Sequence, residues 1–508
     1  LPNGQLRPYQ DEGADWLVRR LSQTGQRAAL LCDDPGLGKT RQTLEARHRL
    51  KARRTLIVCP AGARHVWRNE IQRWFPALRS CVVVVEPGIS PSQHRTRELL
   101  DDPDAIVIIS YDTLVMHATG WATALARRGW DLLVVDEAHY LKNASKRTEV
   151  LYGKQGTDSG LQNSCRWVIL LTGTPTPNHL GEIYQHCRTF WPATLMVARA
   201  GGGQHMETQA EFEDRYTQAK PTPWGKQIIG SRNQSEMRHK VGPFVLRRRK
   251  IDVLPELERL VAQDVPLDVA PEDRITPSGE EVRRLTILLE GAVDRYEQHD
   301  VFTQPTTGES LSTIRRQIGE MKVNAAAAWI NERLGCGVNK MLVFGWHLDV
   351  LYQLHRRLAG FDAVIITGET SPVGRQNAEH LFQTRPTVRV LVGQILACGT
   401  ALTLTAANEV AILEPSWVPG QNSQAIDRAH RLGQHDSVLA SFLYVPGTID
   451  ENIMRSFRRK AEEVAQLYDL RRRGEMGNEV RGDDHRGQRG AWRHYPGETA
   501  EQPAGDAA

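Results

Sequence analysis

Short apolar runs recur along the first third of the chain, each bounded by turn residues. They are AALLC (Ala28 to Cys32), TLIVCP (Thr55 to Pro60), CVVVVE (Cys81 to Glu86), AIVIISY (Ala105 to Tyr111), LLVVDE (Leu132 to Glu137) and WVILLTGT (Trp167 to Thr174). None alternates polar with apolar residues, so each suits a strand buried on both faces of a parallel sheet. Helical stretches separate them, beginning with TRQTLEARHRLKA after the first run. From about Asn178 to Gly337 the strand pattern vanishes, and GGG (Gly201 to Gly203) breaks a polar, helix-patterned stretch. This region is expected to hold helical insertions and an interlobe linker, with FVLRRRKIDVLPEL (Phe244 to Leu257) as the linker. A second strand-rich block follows: KMLVFG (Lys340 to Gly345), DAVIITG (Asp362 to Gly368), VRVLVG (Val388 to Gly393), EVAILE (Glu409 to Glu414) and SVLASFLYV (Ser437 to Val445). The predicted division is an α/β lobe over 1–200, helical protrusions and linker over 201–338, a second α/β lobe over 339–470, and a disordered tail over 471–508.

Composition changes this picture little. A chain of 508 residues divides into roughly three domains at about 150 residues each. The net charge of +4 predicts nothing by itself. Basic residues are concentrated locally, in LRRRK (Leu246 to Lys250) and RSFRRK (Arg455 to Lys460), and patches matter more than totals to a phosphate backbone. The run Arg247 to Arg249 is expected near nucleic acid or a cleft. Seven cysteines include no C-x-x-C pair and no zinc spacing, so they read as small buried hydrophobes in a reducing compartment, with no zinc. No apolar run approaches the ~20 residues of a membrane span. The opening LPNGQLRPYQ has no signal-peptide pattern. A cytoplasmic location is expected, with a bacterial or phage source favoured by the lack of accessory domains, and a nuclear location if the source is eukaryotic.

Two of the apolar runs end in chemistry. DDPGLGKT (Asp33 to Thr40) is a glycine-rich loop between a strand and a helix. Such a loop cradles phosphates with backbone N–H groups, so Gly36, Leu37, Gly38, Lys39 and Thr40 are the candidate nucleotide-binding residues. Lys39 would reach the β/γ-phosphates and the Thr40 hydroxyl would hold Mg²⁺. The usual spacing wants glycine where Asp33 stands, and Pro35 removes one backbone donor. LLVVDEAH (Leu132 to His139) delivers adjacent carboxylates from a strand end. Asp136 would position the metal through a bridging water, and Glu137 would orient or activate the attacking water. Far downstream, QAIDRAHRLGQ (Gln424 to Gln434) is a predicted polar helix. Gln424, Arg428 and Arg431 fall at i, i+4 and i+7, one helical face. Two guanidiniums so placed can reach a phosphate bound by the other lobe and act as arginine fingers. The nucleotide and metal implied are ATP and Mg²⁺.

At this point the chain resembles the superfamily-two (DEAD/DEAH-box) helicases, and within them the Swi/Snf-like DNA translocases. LRPYQDEGADWL (Leu6 to Leu17) is similar to the family's adenine-reading motif, which makes Gln10 the adenine contact. DDPGLGKT resembles its acidic phosphate loop and accounts for Asp33. VCPAGARHVWRNEIQRW (Val58 to Trp74), ISYDTL (Ile109 to Leu114), DEAH, LTGTPTPN (Leu171 to Asn178) and FVLRRRKIDV match in order and spacing, and QAIDRAHRLGQ is the most specific match. ACGTALTLTAANEV (Ala397 to Val410) with SWVPGQNSQ resembles the annealing-helicase branch, although Ala401 stands where that branch usually has glycine. The resemblance covers about Leu6 to Lys460. It implies two RecA-like lobes, parallel sheets flanked by helices, with helical insertions between them. It implies a coupling set of His139, Thr172, Thr174 and Gln424. It also implies DNA contacts by Pro60, Ala61, Ser110, Tyr111, Gly345, His347, Thr367, Gly368 and Trp417.

The expected function is that of an ATP-driven, monomeric motor on duplex or branched DNA, gripping phosphates without reading sequence. Fork remodelling or strand annealing would fit the late motifs. An RNA helicase with the same engine, the motor subunit of a restriction or defence complex, and a non-enzymatic ATP-gated DNA clamp remain alternatives. The sequence shows no histone-reading module or nuclease motif to support remodelling of chromatin or DNA cleavage.

Overall fold

In a computed structural model, every apolar run above forms a strand. The structure describes residues 5–454 apart from 87, 117–119, 155–158, 174, 177–178, 200–201, 223–224, 271–310, 399–401, 417–418, 447–449 and 452–453. The tail expected over 471–508 lies outside the described residues, as do Thr174, Ala401 and Trp417.

The first lobe is built on β1 (Ala28–Leu31), β2 (Thr55–Cys59), β3 (Val82–Val84), β4 (Ile106–Ser110), β5 (Trp130–Asp136) and β6 (Cys165–Leu171). Successive residues of one strand enter cores on opposite faces of the sheet. Ala28, Leu30, Val58 and Val107 pack on one side, and Ala29, Leu31, Ile57 and Ile106 on the other. That double burial is why the runs are continuously apolar. The second lobe repeats the arrangement with β13 (Met341–Gly345), β14 (Val364–Ile366), β15 (Val390–Gln394), β16 (Glu409–Ile412) and β17 (Val438–Tyr444). Met341 and Val343 face one core, while Leu342 and Phe344 face the other.

The region from Asn178 to Gly337 corrects the expectation that strands vanish there. It holds the antiparallel pair β7 (Met196–Ala198) and β8 (Gln204–Met206), the hairpin β9 (Thr217–Thr222) and β10 (Gly225–Ser231), and two further strands, β11 (Val245–Leu246) and β12 (Leu260–Pro266). β11 joins the first sheet, whose order is β11-β1-β6-β5-β2-β4-β3, and β12 joins the second, ordered β12-β17-β16-β13-β15-β14. Every pairing between neighbours in these two sheets is parallel. These additions escape a search for apolar runs for physical reasons. β11 has two residues, β7 and β8 have three each, the β9–β10 hairpin is polar, and β12 is a half-exposed edge strand carrying Gln263 and Asp264. The helical content expected there is present as well, chiefly in the 25-residue helix Leu311–Gly335. The stretch expected to be a linker is thus structured: β11 is followed by the short helix Lys250–Val253.

One buried histidine sets a pH response. His186 is 1% exposed in the helix Tyr184–Phe190 of the first lobe, and its Nδ1 lies 2.8 Å from the Tyr152 hydroxyl. Burial, with the neighbouring His139, pushes its pKa from 6.5 down to about 4. The unfolded chain therefore takes up this proton first, and the folded state loses stability as pH falls from 6.5 towards 4. The loss from this group is about 2 kcal/mol by pH 5. Chemical-denaturation curves at pH 7 and pH 5 should show that loss in the wild type and a smaller one in His186→Gln. An equal loss in both would remove His186 as the cause.

Candidate functional site: an interlobe nucleotide cleft

Sheet register places the two halves of the phosphate chemistry. Leu31 pairs with Leu171, and Leu171 with Asp136, so the loop after β1 and the carboxylate ending β5 are separated by one strand, β6. Two inter-strand spacings make about 9.6 Å, which leaves room for a phosphate and a cation between them. Both features sit at the carboxyl ends of the strands, where open α/β sheets bind ligands.

The loop itself is held by buried polar contacts. Gly38 has φ +75°, and a Cβ there would come within 2.5 Å of the Gln10 amide nitrogen, so glycine is required on both counts. Gln10 reaches the loop from the helix Pro8–Ser22: its Oε1 accepts from the Arg7 N–H at 3.1 Å, and its Nε2 donates to Leu37 O at 3.4 Å. Lys39 opens the helix Lys39–Arg49 and donates to Asp33 O at 2.7 Å. Thr40 follows it in the first turn and is half-buried. Gly36 lies exposed at the loop tip, and Leu37 is buried. Pro35 seats the loop against LTGT, because a Cβ on Gly173 would meet its ring at 2.9 Å.

Asp33 is explained by a partner from the basic run Arg247 to Arg249. It is fully buried, and Arg248 binds it with its backbone N–H at 3.0 Å, Nε at 3.1 Å and Nη2 at 2.5 Å. Gln42 donates to the same carboxylate at 3.0 Å. Arg247 lies 3.4 Å from Asp34, and Arg249 pairs with Asp252 at 3.0 Å. The run Arg247 to Arg249, expected near nucleic acid or a cleft, therefore faces acidic partners of its own chain. A guanidinium finds a buried carboxylate a better partner than solvent when both are desolvated and fully hydrogen-bonded.

The carboxylate pair is equally constrained. Asp136 accepts from the Trp67 indole N–H at 2.8 Å and from the Glu137 N–H at 3.1 Å. Burial and the adjacent Glu137 push its carboxyl up to about 6. Glu137 has φ 52°, a left-handed conformation unusual for a side chain of its size. Burial alone would raise its pKa, but His139, Lys39 and Arg428 outweigh it and hold the carboxyl below its ordinary value. His139 Nδ1 stands 3.2 Å from Glu137 Oε2 and 3.1 Å from Thr172 Oγ1. The coupling candidates His139 and Thr172 are thus brought together beside Glu137.

The second lobe closes on this group. Gln424 donates to Glu137 Oε1 at 3.3 Å, across the cleft. Its helix, Pro419–Ile426, is shorter than expected, and Arg428 and Arg431 lie on the turns that follow rather than on one helical face. The turns are set by Gln434, whose amide donates to Ala407 O at 2.9 Å and Thr405 O at 3.2 Å, and by Gly433 at φ +97°. The two arginines nevertheless converge: Arg428 Nη1 lies 3.5 Å and Arg431 Nη1 3.0 Å from Leu402 O. A Cβ on Gly36 would stand 3.7 Å from the Arg431 Cβ, so this turn abuts the phosphate loop. Burial and the nearby Arg431 push Arg428 down to about 10, and burial likewise lowers Arg431.

The residues expected at DNA separate into two groups. Pro60 and the exposed Ala61 follow β2, Gly345 ends β13, His347 follows it, and the exposed Gly368 follows β14, all at carboxyl strand ends. His347 Nδ1 is engaged at 2.7 Å by the buried Glu414, and Gly368 N–H by Gln394 at 2.9 Å. Three of the side chains are buried and bonded within the lobe. Tyr111 is 3% exposed and donates to Asp136 O at 2.6 Å. Ser110, 2% exposed, caps the following helix by accepting from the Thr113 N–H at 3.2 Å. Thr367 is also buried, its N–H given to Thr370 Oγ1 at 2.9 Å. These side chains secure the strand ends. Sequence reasoning missed Trp67, Arg248 and Lys250, which hold the site together from outside the nucleotide motifs.

Comparison with known proteins gives the assembly a family. Residues 9–269 match the SNF2-related domain and residues 331–433 the helicase conserved C-terminal domain. The chain belongs to the SNF2-related family. Members of this family use ATP hydrolysis, and the resemblance read from the motifs stands. The mouse DNA annealing helicase and endonuclease ZRANB3 is 28% identical over 92% of this chain and 41% of that protein. The SWI/SNF-related matrix-associated actin-dependent regulator of chromatin subfamily A-like protein 1 of Xenopus tropicalis is 30% identical over 91% of this chain and 45% of its own length. The chain spans less than half of these SNF2-related relatives, which come from animals and lend no support to the favoured bacterial or phage source. Among solved structures, the Sulfolobus solfataricus SWI2/SNF2 ATPase core in complex with dsDNA matches with a TM-score of 0.41 at 23% identity, covering 91% of this chain and 94% of that one. No helix of the described residues is long and apolar enough to cross a membrane.

Proposed function

We propose that this SNF2-related chain is an ATP-driven translocase on duplex or branched DNA. The observation that carries the reading is the closed cleft: Gln424 of the second lobe touches Glu137, and the Arg428–Arg431 turn abuts the loop bearing Lys39. Lys39 and the two arginines surround the place of the β/γ-phosphates with positive charge. Glu137, kept ionised, holds and deprotonates the attacking water. Gln10 selects adenine. Thr40 and Asp136 would hold Mg²⁺, because a hydroxyl and a carboxylate are the oxygen donors that this hard dication takes. Bound there, Mg²⁺ supplies charge neutralisation at the phosphates. Glu137, His139 and Thr172 form a chain from the reacting water to LTGT, through which the state of the nucleotide reaches the lobe interface.

Movement follows from alternating grip. Exposed loops at the carboxyl strand ends of both lobes, around Ala61 and Gly368, contact phosphates and read no bases. The similarity to a DNA annealing helicase favours strand annealing or fork remodelling over processive unwinding. The deciding experiment compares ATPase rates without nucleic acid and with single strand, duplex, forked DNA and RNA. Duplex or forked DNA of arbitrary sequence is expected to stimulate most, with stimulation falling steeply with salt. Strong ATPase on RNA with none on duplex DNA would replace this reading by that of an RNA helicase.

A further inference from the structure

Lys250 occupies a place that the nucleotide chemistry above does not use. It begins the short helix after β11, between the two lobes, and is only 6% exposed. Its backbone N–H donates to Asp34 Oδ2 at 3.1 Å, which ties it to the phosphate loop. Its ammonium donates to the Asp427 carboxylate and, at 2.6 Å, to His430 O. A Cβ on Gly36 would lie 3.3 Å from Lys250 Cε, so the aliphatic stem runs along the loop tip.

The two acceptors are the immediate predecessors of Arg428 and Arg431. One ammonium therefore fixes both ends of the arginine-bearing turn. His430 is free to accept because the helix has already ended at Ile426. Its ring is held too, Nε2 donating to Glu258 O at 2.8 Å, so a second bond joins the interlobe segment to the same turn. A buried lysine normally loses free energy by desolvation unless its donors are met. Here they are met by lobe-2 groups, while its backbone and stem belong to the phosphate loop.

We infer that Lys250 is a positioning residue that docks the turn carrying Arg428 and Arg431 onto the phosphate loop. It sets the distance at which the guanidiniums meet the transferred phosphate, where a displacement of about 1 Å can cost on the order of 10²-fold in rate. The inference rests on the reading of Arg428 and Arg431 as the groups that complete the site.

The test is DNA-stimulated ATPase in Lys250→Met, Asp427→Asn, their double variant and Lys250→Arg, with Arg428→Ala and Arg431→Ala as references. Melting temperatures report folding. Each neutralising single variant should lower kcat by about 10²-fold with the KM for ATP little changed. The double variant should be no worse than either single, because the two residues act as one unit. Lys250→Arg, which keeps the charge and reach, should recover most of the rate. If Lys250→Met fails to fold, the isosteric Asp427→Asn carries the same comparison. Additive losses in the double variant, or a raised KM at unchanged kcat, would overturn the inference. Wild-type kcat in Lys250→Met and Asp427→Asn beside impaired Arg428→Ala and Arg431→Ala would overturn it alone and leave the arginine reading standing. Unimpaired arginine variants would overturn both.

Discussion

Glu137→Gln is expected to bind ATP as the wild type does and to lose turnover by about 10²–10⁴-fold. The amide has the size of the carboxylate and can keep a contact to Gln424 and His139, but it cannot take a proton. The loss should be purely in kcat, because the side chain bears on the water and not on the phosphates already bound. Lys39→Ala should differ, weakening ATP binding and turnover together, since it removes charge from the ground state and the transition state alike. Equilibrium nucleotide binding and steady-state ATPase on both variants separate the two patterns. The melting temperature of Glu137→Gln should fall a little, because the carboxylate that His139, Lys39 and Arg428 stabilise is lost, while relief of the repulsion on Asp136 offsets part of it. Wild-type turnover in Glu137→Gln would remove this residue from the chemistry.

The parts of the molecule that sequence reading reached share one property: their signal is local. Strands buried on both faces are written as unbroken apolar runs, so β1, β2, β5, β13 and β17 need no partner to be seen. Lys39, Thr40, Asp136 and Glu137 are legible because each closes such a run. What stayed hidden depends on partners far along the chain. Arg248 is 215 residues from Asp33, and Lys250 is 177 from Asp427, and no spacing rule links such pairs. LRRRK was therefore expected near nucleic acid or a cleft, but its particular partners, Asp33 and Asp34 of the phosphate loop, could not be named. The bond from Tyr111 to Asp136 O was hidden for a similar reason, because the two residues are 25 apart in the chain. The strands β11 and β12 were too short or too polar to signal themselves, yet they extend each sheet at the interlobe segment and so fix where Lys250 stands.

Arg428→Ala and Arg431→Ala are each expected to lower kcat by about 10³-fold or more while leaving DNA affinity nearly intact. Both guanidiniums are half-buried at Leu402 O, and desolvation, with their mutual repulsion at Arg428, lowers their pKa values. Two cations kept at such a cost beside a phosphate loop favour an anion with several negative charges. Charge on the transferred phosphoryl group grows and spreads in the transition state, so the missing cation should tell there more than on bound ATP. The exposed loops at the strand ends, where DNA phosphates are proposed to bind, do not include this turn, and duplex affinity should therefore be spared. Arg431→Lys should recover little, because a point charge cannot reproduce a planar fork already bonded to Leu402 O and, at 3.1 Å, to Thr403 Oγ1. Duplex binding by fluorescence anisotropy, beside kcat and KM for ATP, is the measurement. A variant that lost duplex affinity at normal kcat would make its arginine a backbone contact and take it out of the nucleotide site.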